Sequence, residues 1–361
     1  MNILFVGIRE NELTTSAPKR IANTLYNRLR IDTQNSYYFF SLNFDNEKNL
    51  QEQDSNVFIG ALNELDSFIK NNNIDVVYFA RYYSKVALKL LWLKQKYKFK
   101  LVYTVHGIVK KEAETNKSFS KLSVFIETIL LQFCDKIVVV SSNSKNEILN
   151  YYKTLNANKI YVIPNGVNKI DSDSNFNFKK ELNINNNKNN ILTVGIRKIK
   201  NIEILLNEFV GNSTLYNKTN LIVIGEKQSE YGKFIVNKYK NYTNIIFVNF
   251  IEPKKLFKIY ENIDLYIQIS QFETFGMSVV EAILSNAKVL ISSNLPISKY
   301  FANDEVYYYD KQINDLSDVI LSALNDSNEK KIKAYKKATE LFNWQTTSDK
   351  YKCLFESFII K

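Results

Sequence analysis

Glu273 and Glu281 are separated by seven residues in the stretch Ser270-Gln-Phe-Glu-Thr-Phe-Gly-Met-Ser-Val-Val-Glu-Ala282. Two carboxylates can accept hydrogen bonds from two sets of hydroxyls on one ligand when the first sits on a loop and the second lies about one and a half turns into a helix. The flanking residues predict that placement. Leu265-Tyr-Ile-Gln-Ile269 reads as a buried strand, and Met277, Val280, Ile283 and Leu284 recur at helical spacing. Free backbone N–H groups at the helix start attract phosphate, and Gly276 lets a ligand approach the main chain closely. Taken alone, the glutamate pair is explained at least as well by acidic residues near the positive end of a helix dipole.

Other candidates stand at the ends of strand-like runs. His106, the only histidine, follows Leu101-Val-Tyr-Thr-Val105 and precedes Gly107. A lone histidine is more often structural, so its position at a strand's carboxyl end is what singles it out. Arg197 and Lys200 lie in Ile191-Leu-Thr-Val-Gly-Ile-Arg-Lys-Ile-Lys-Asn201, a strand leading through a basic turn to a helix. Cations there can neutralise a departing diphosphate without a metal. Ile163-Pro-Asn-Gly-Val-Asn168, Gly225-Glu226, Val248–Ile251 and Phe342-Asn-Trp344 complete the set.

From His106 onward these segments jointly resemble the retaining glycosyltransferases of the GT-B fold, family 4 (glycosyl transferases group 1), with their Glu-x7-Glu signature. The resemblance implies an α/β protein of two Rossmann-like domains with parallel sheets facing across a cleft. It implies a catalytic set of His106, Glu273, Arg197 and Lys200, the first two positioning the sugar and the cations stabilising the diphosphate. Thr274, Phe275, Gly276, Met277, Gly225 and Ile251 would line the donor, with Glu281 on the nucleotide ribose. Arg81, Tyr82 and Lys110 would serve the acceptor. Neither a metal nor a cofactor is implied, and the co-substrate is a nucleotide sugar, UDP-sugar favoured over GDP-sugar. The acceptor would be a surface glycan: a lipid-linked saccharide, a polysaccharide or a teichoic-acid-like chain. Two departures stand out. Ser16-Ala17-Pro18 replaces a Gly-Gly pair in the first loop, and Asn286-Ala287-Lys288 replaces Gly-x-Pro after the glutamate helix. A nucleotide-sugar epimerase of the same fold and a non-catalytic polyanion binder are the alternatives.

The elements that must position these residues are strands alternating with helices over 361 residues. The first half carries runs at Asn2–Ile8, Tyr37–Leu42, Asp75–Ala80, Leu101–His106, Lys136–Ser141 and Ile160–Pro164. The second half carries Ile191–Ile196, Asn220–Gly225, Ile245–Phe250, Leu265–Ile269, Lys288–Ser292 and Val306–Tyr309. Continuous apolar strands of this kind belong to parallel sheets covered on both faces, with ligands at their carboxyl ends. No Gly-x-Gly-x-x-Gly is present, which argues against a nicotinamide or flavin enzyme. The expected division is 1–168 as an acceptor domain, 169–344 as a donor domain, and 345–361 as a terminal helix crossing back to the first. The polar stretch Asn168–Asn190 connects the halves, and its Asp171-Ser-Asp173 reads as chance rather than as a metal motif.

Cys134 and Cys353 suggest neither a disulfide framework nor a metal site. No apolar run reaches the roughly 18 residues that span a bilayer, and the first residues read as a strand rather than a signal peptide. The expected location is the cytoplasm, at the inner face of the membrane. A net charge of +11 suits nucleic acid, an anionic membrane or a polyanionic substrate, although a Lys/Asn/Ile-rich chain also follows from AT-rich coding. From Arg81 to Lys111 no acidic residue occurs, and Lys85, Lys89, Trp92 and Lys96 fall on one stripe of the helix expected over Ser84–Tyr97. That stripe points to an anionic membrane surface rather than nucleic acid, because no aromatic stacking platform accompanies it.

Overall fold

The computed structural model describes residues 1–9, 17–43, 50–116, 119–184 and 187–359. Ser16 of the first loop therefore lies outside the described residues. The chain forms two compact units, Met1–Gly166 with Trp344–Lys361, and Val167–Asn343.

The first unit is built on β1 (Asn2–Gly7), β2 (Ser36–Leu42), β3 (Gln51–Asp54), β4 (Val57–Gly60), β5 (Val76–Phe79), β6 (Lys100–Val105), β7 (Lys136–Val139) and β8 (Ile160–Val162). Their order is β3-β4-β2-β1-β5-β6-β7-β8, parallel except for the β3–β4 pair. The central strands are apolar on both faces, as helices above and below require. Two strands were not anticipated. Gln51-Glu-Gln-Asp54 is polar and exposed throughout, as suits an edge strand, and Val57–Gly60 is only four residues long.

The Trp344–Glu356 helix belongs to this first unit. Tyr351 meets Tyr78 edge-on with ring centroids 5.6 Å apart, and its hydroxyl is 3.0 Å from Thr104 Oγ1. Phe355 lies against Phe5 and Tyr78. Burying each such ring stabilises by about 2 kcal/mol, which is what ties the end of the chain to the first sheet.

The second unit contains β9 (Asn189–Val194), β10 (Thr219–Ile224), β11 (Ile245–Val248), β12 (Leu265–Gln268), β13 (Val289–Ser292) and β14 (Tyr307–Tyr309). Their order, β11-β10-β9-β12-β13-β14, is parallel throughout. Strand order reverses between β9 and β12. In an open parallel sheet the loops leaving such a pair diverge to opposite faces and leave a crevice at the carboxyl ends. In the first unit the corresponding reversal lies between β1 and β5.

Candidate functional site

The crevice of the second unit holds both segments that the sequence singled out. β9 leads into Gly195, whose φ of +108° few residues other than glycine adopt, then Arg197 and a short 3₁₀ turn, Lys198–Lys200. β12 leads through Ser270 and Glu273 to Gly276, φ +106°, which opens the Met277–Leu284 helix. Backbone and side-chain bonds stitch the two loops together. Gln271 N donates to Ile199 O at 2.8 Å, and Asn201 Nδ2 donates to Ile269 O at 2.9 Å. Gly225, at the end of β10, has no room for a side chain, because a Cβ there would collide with the backbone of Ile196.

Lys200 crosses this crevice to form an ion pair with Glu273 Oε1. The same oxygen accepts from Gln268 Nε2 at 2.9 Å and from Ser270 Oγ at 3.3 Å. Gln268 in turn accepts from Tyr266 and Ser278 at 2.7 Å each, so one buried amide sets the geometry of the carboxylate. Lys200 is only 8% exposed. Burial lowers its pKa and the charge of Glu273 opposes that shift, so removing the carboxylate without a replacement anion would disfavour the ammonium. Arg197 is exposed beside it, and its charge is felt at Lys200.

Glu281 is buried on the Met277–Leu284 helix. Burial raises the pKa of the Tyr266 phenol most, and the charges of Glu273 and Glu281 raise it further, so both carboxylates act on one side chain. Thr274 and Met277 are half-buried at the helix start, and Ile251 is half-buried in the loop after β11. The ring of Phe275 is turned inward against Phe342, centroids 5.4 Å apart, so any share it has in binding a ligand falls to its backbone.

In the first unit His106 ends β6, one strand from Arg81 at the end of β5. Its Nε2 is sheltered and has no hydrogen-bond partner. Burial pushes the imidazole down to about 4, so the ring is neutral at pH 7. The proposed acceptor residues are largely committed within the unit. Tyr82 donates to Ser123 O at 2.7 Å, Lys110 Nζ donates to Tyr151 O at 3.3 Å, and Arg81 lies over the Tyr83 ring at 5.1 Å. A ligand meeting Tyr82 or Lys110 would therefore share these groups with Ser123 and Tyr151. Asp173 Oδ1 accepts from the backbone of Asn175. Among the described residues no cluster of three metal-ligating side chains occurs.

Two residues escaped sequence reasoning. Gln268 is the hub of the crevice, and its only signal is a polar residue interrupting an apolar strand just before the loop. Glu127 is a lone acid on the buried face of the Lys121–Phe133 helix. It accepts from the N–H groups of Val109 (3.3 Å) and Lys110 (3.4 Å) and from the Tyr152 hydroxyl, and so holds the segment that follows His106.

Residues 174–341 match the family profile described as Glycosyl transferases group 1, and residues 43–169 match Glycosyltransferase Family 4. An uncharacterised glycosyltransferase of Methanocaldococcus jannaschii is 25% identical over 165 residues, 44% of this chain and 42% of that one. The chain spans 42% and 62% of the lengths of the two curated relatives it matches. Among solved structures, sucrose-phosphate synthase from Thermosynechococcus elongatus superposes with a TM-score of 0.81 at 15% identity, covering 99% of both chains. The HepE protein of Anabaena, solved with UDP and glucose, gives 0.75 at 15% identity, covering 99% of this chain and 100% of that one. Two Rossmann-like units of this kind constitute the GT-B fold.

Proposed function

We propose that this chain, a GT-B protein related to the family 4 glycosyltransferases, moves a sugar with retention from a nucleoside diphosphate donor to a glycan acceptor. The observation that carries this reading is the buried Lys200–Glu273 pair beside Arg197, held by Gln268 where β9 and β12 part. A buried cation already balanced by one carboxylate is prepared for an incoming diphosphate. The phosphate oxygens would take over the charge of Lys200, and Glu273 would be released to accept from sugar hydroxyls.

In the reaction the bond between the sugar's anomeric carbon and the diphosphate oxygen breaks, and its electron pair leaves with the phosphate. Arg197 and Lys200 stabilise that charge. The acceptor oxygen bonds to the same face of the carbon, and its proton passes to the departing phosphate oxygen. Glu281 holds the ribose, with Thr274, Met277, Gly225 and Ile251 and the backbone at Phe275 and Gly276 lining the rest of the donor. His106 of the first unit, neutral at pH 7 and with an unpartnered Nε2, suits a single hydrogen bond to a sugar hydroxyl. Arg81 contributes to the acceptor, the surface-glycan class being the reading that the family resemblance favours. UDP is the favoured nucleotide, supported by its presence in the similar Anabaena structure.

A panel of nucleotide sugars tests the reading. UDP-sugars should raise the melting temperature and release UDP slowly in the absence of acceptor. A panel that neither stabilises the protein nor is hydrolysed would contradict it.

A further inference from the structure

The helices Ser84–Tyr97 and Lys121–Phe133 of the first unit run side by side. Ser84 Oγ lies 3.3 Å from Ser123 Oγ at one end, and at the other Leu91, Trp92 and Gln95 share a groove of about 310 Å³ with Ile129 and Phe133. Their inward faces are ordinary core: Val86, Leu90 and Leu93 on one, Ile126, Leu130 and Leu131 on the other. Their outward faces are not ordinary surface. Leu122, Phe125, Ile129 and Phe133 recur at helical spacing on the outer side of the second helix, and Leu122, Phe125 and Phe133 are 66%, 61% and 60% exposed. Leu88 and Trp92 extend the apolar surface onto the first helix, with Trp92 51% exposed. A helix apolar on every side is normally buried, and an exposed apolar patch of this kind marks a contact surface.

The charge around the patch identifies the partner. The Ser84–Tyr97 helix carries no carboxylate, and the single one on Lys121–Phe133, Glu127, points inward. Lys85 and Lys121 are exposed and make no ion pair among the described residues, while Lys89 rests 4.6 Å from the Trp92 ring. Lys96 is held differently from the sequence expectation, because Asp66 binds it at 2.9 Å. Lys94 is likewise taken by Asp135. Exposed positive charge outside the ion pairs of the described residues therefore lies at Lys85 and Lys121, with Lys89 shared between the Trp92 ring and the field of Asp66, beside the apolar stripe rather than along one helix. A second copy of this face would set lysine against lysine. An anionic bilayer takes both features at once, its headgroups meeting the lysines and its acyl boundary meeting Leu122, Phe125 and the Trp92 indole.

We propose that this two-helix face docks the protein peripherally on an anionic membrane, with Leu122 and Phe125 entering the headgroup–acyl boundary. Among the described residues no helix is long and apolar enough to cross a membrane. The inference does not depend on the sugar-transfer reading, since none of these residues belongs to the crevice of the second unit.

Flotation of the full chain tests it, using vesicles of phosphatidylcholine alone and of equal parts phosphatidylcholine and phosphatidylglycerol. The wild type should float with the anionic vesicles and remain at the bottom with neutral ones. The double variant Leu122→Ser/Phe125→Ser, and separately Lys85→Glu/Lys121→Glu, should each reduce the bound fraction by about tenfold or more at physiological salt. UDP release without lipid should be unchanged in both, which separates failure of docking from failure of the donor site. If the serine variant does not fold, the charge-reversal variant decides. The proposal is overturned if the wild type ignores anionic vesicles, if it binds neutral ones equally, or if folded variants float as well as wild type. It is also overturned if sedimentation shows a dimer that the serine variant dissociates while lipid is left unbound.

Discussion

Glu127 in the first unit and Glu273 in the second each accept three hydrogen bonds, but from different kinds of donor. Glu127 is met by two backbone N–H groups and a phenol, with no cation among them, and burial pushes its carboxyl up to about 7. Glu273 is met by the Lys200 ammonium, a buried amide and a hydroxyl. A carboxylate among neutral donors can fasten a loop, because nothing about it needs to change when a ligand arrives. A carboxylate that neutralises a buried lysine is different: under the proposed function an incoming diphosphate would displace it, and the pair would exchange partners. The lesson is that burial alone does not distinguish a structural acid from a working one; the charge of its partner does.

The largest effect expected from this contrast is a pH-dependent one at Glu127. Its folded-state pKa lies above the ordinary value of 4.5, so the folded state binds more protons between about pH 4.5 and 7. The stabilisation from the protonated form is fully present below that range and is lost as pH rises through 7, a loss of about 3 kcal/mol. Glu127→Gln keeps the amide-sized side chain and removes the titration. Urea unfolding of both proteins between about pH 5 and 8 should therefore show the variant gaining on wild type as pH rises. A constant difference across that range would show that Glu127 is charged in the folded state and would erase the contrast.

Next in size is the support of the working pair. Gln268→Leu removes the amide that donates to Glu273 and accepts from Tyr266 and Ser278, and the stranded partners should cost about 2 kcal/mol of stability. Sugar transfer should fall further than affinity for the bare nucleotide, because Glu273 loses its alignment while Lys200 remains. Equal losses in kcat and in nucleotide binding would reduce Gln268 to a packing residue.

Smaller again is the division between the two crevice glutamates. Calorimetry with UDP should show Glu281→Ala binding about tenfold more weakly, equivalent to about 1.4 kcal/mol, while Glu273→Ala shows no comparable loss, since its partner Lys200 passes to the phosphates. The same loss in both variants would contradict separate duties for ribose and sugar.

Much of the architecture was legible because it rests on local pattern. Apolar runs alternating with helical stretches are enough to give two parallel sheets, and Gly195 and Gly276 punctuate the turns where the chain must adopt positive φ. The candidate residues Glu273, Lys200 and Arg197 drew attention because they stand at strand ends, and the structure brings them to one crevice. What stayed hidden depends on which distant side chain arrives. Nothing in Leu265–Ile269 distinguishes Gln268 from a strand residue facing solvent, and Lys96 cannot be seen to pair with Asp66 thirty residues away. The β3–β4 hairpin was hidden for another reason. β3 is polar and held by edge pairing rather than by burial, so it carries little apolar signal, while β4 is apolar but only four residues long.

The exchange of partners at Lys200 is the centre of the account, and steady-state kinetics of Lys200→Ala with a UDP-sugar test it most directly. Removing one preorganised cation from a developing diphosphate should slow turnover at saturating donor by about a hundredfold, or roughly 3 kcal/mol, with a smaller change in the affinity for UDP. Turnover equal to that of the wild type would show that the buried Lys200–Glu273 pair is structural and that the donor site lies elsewhere.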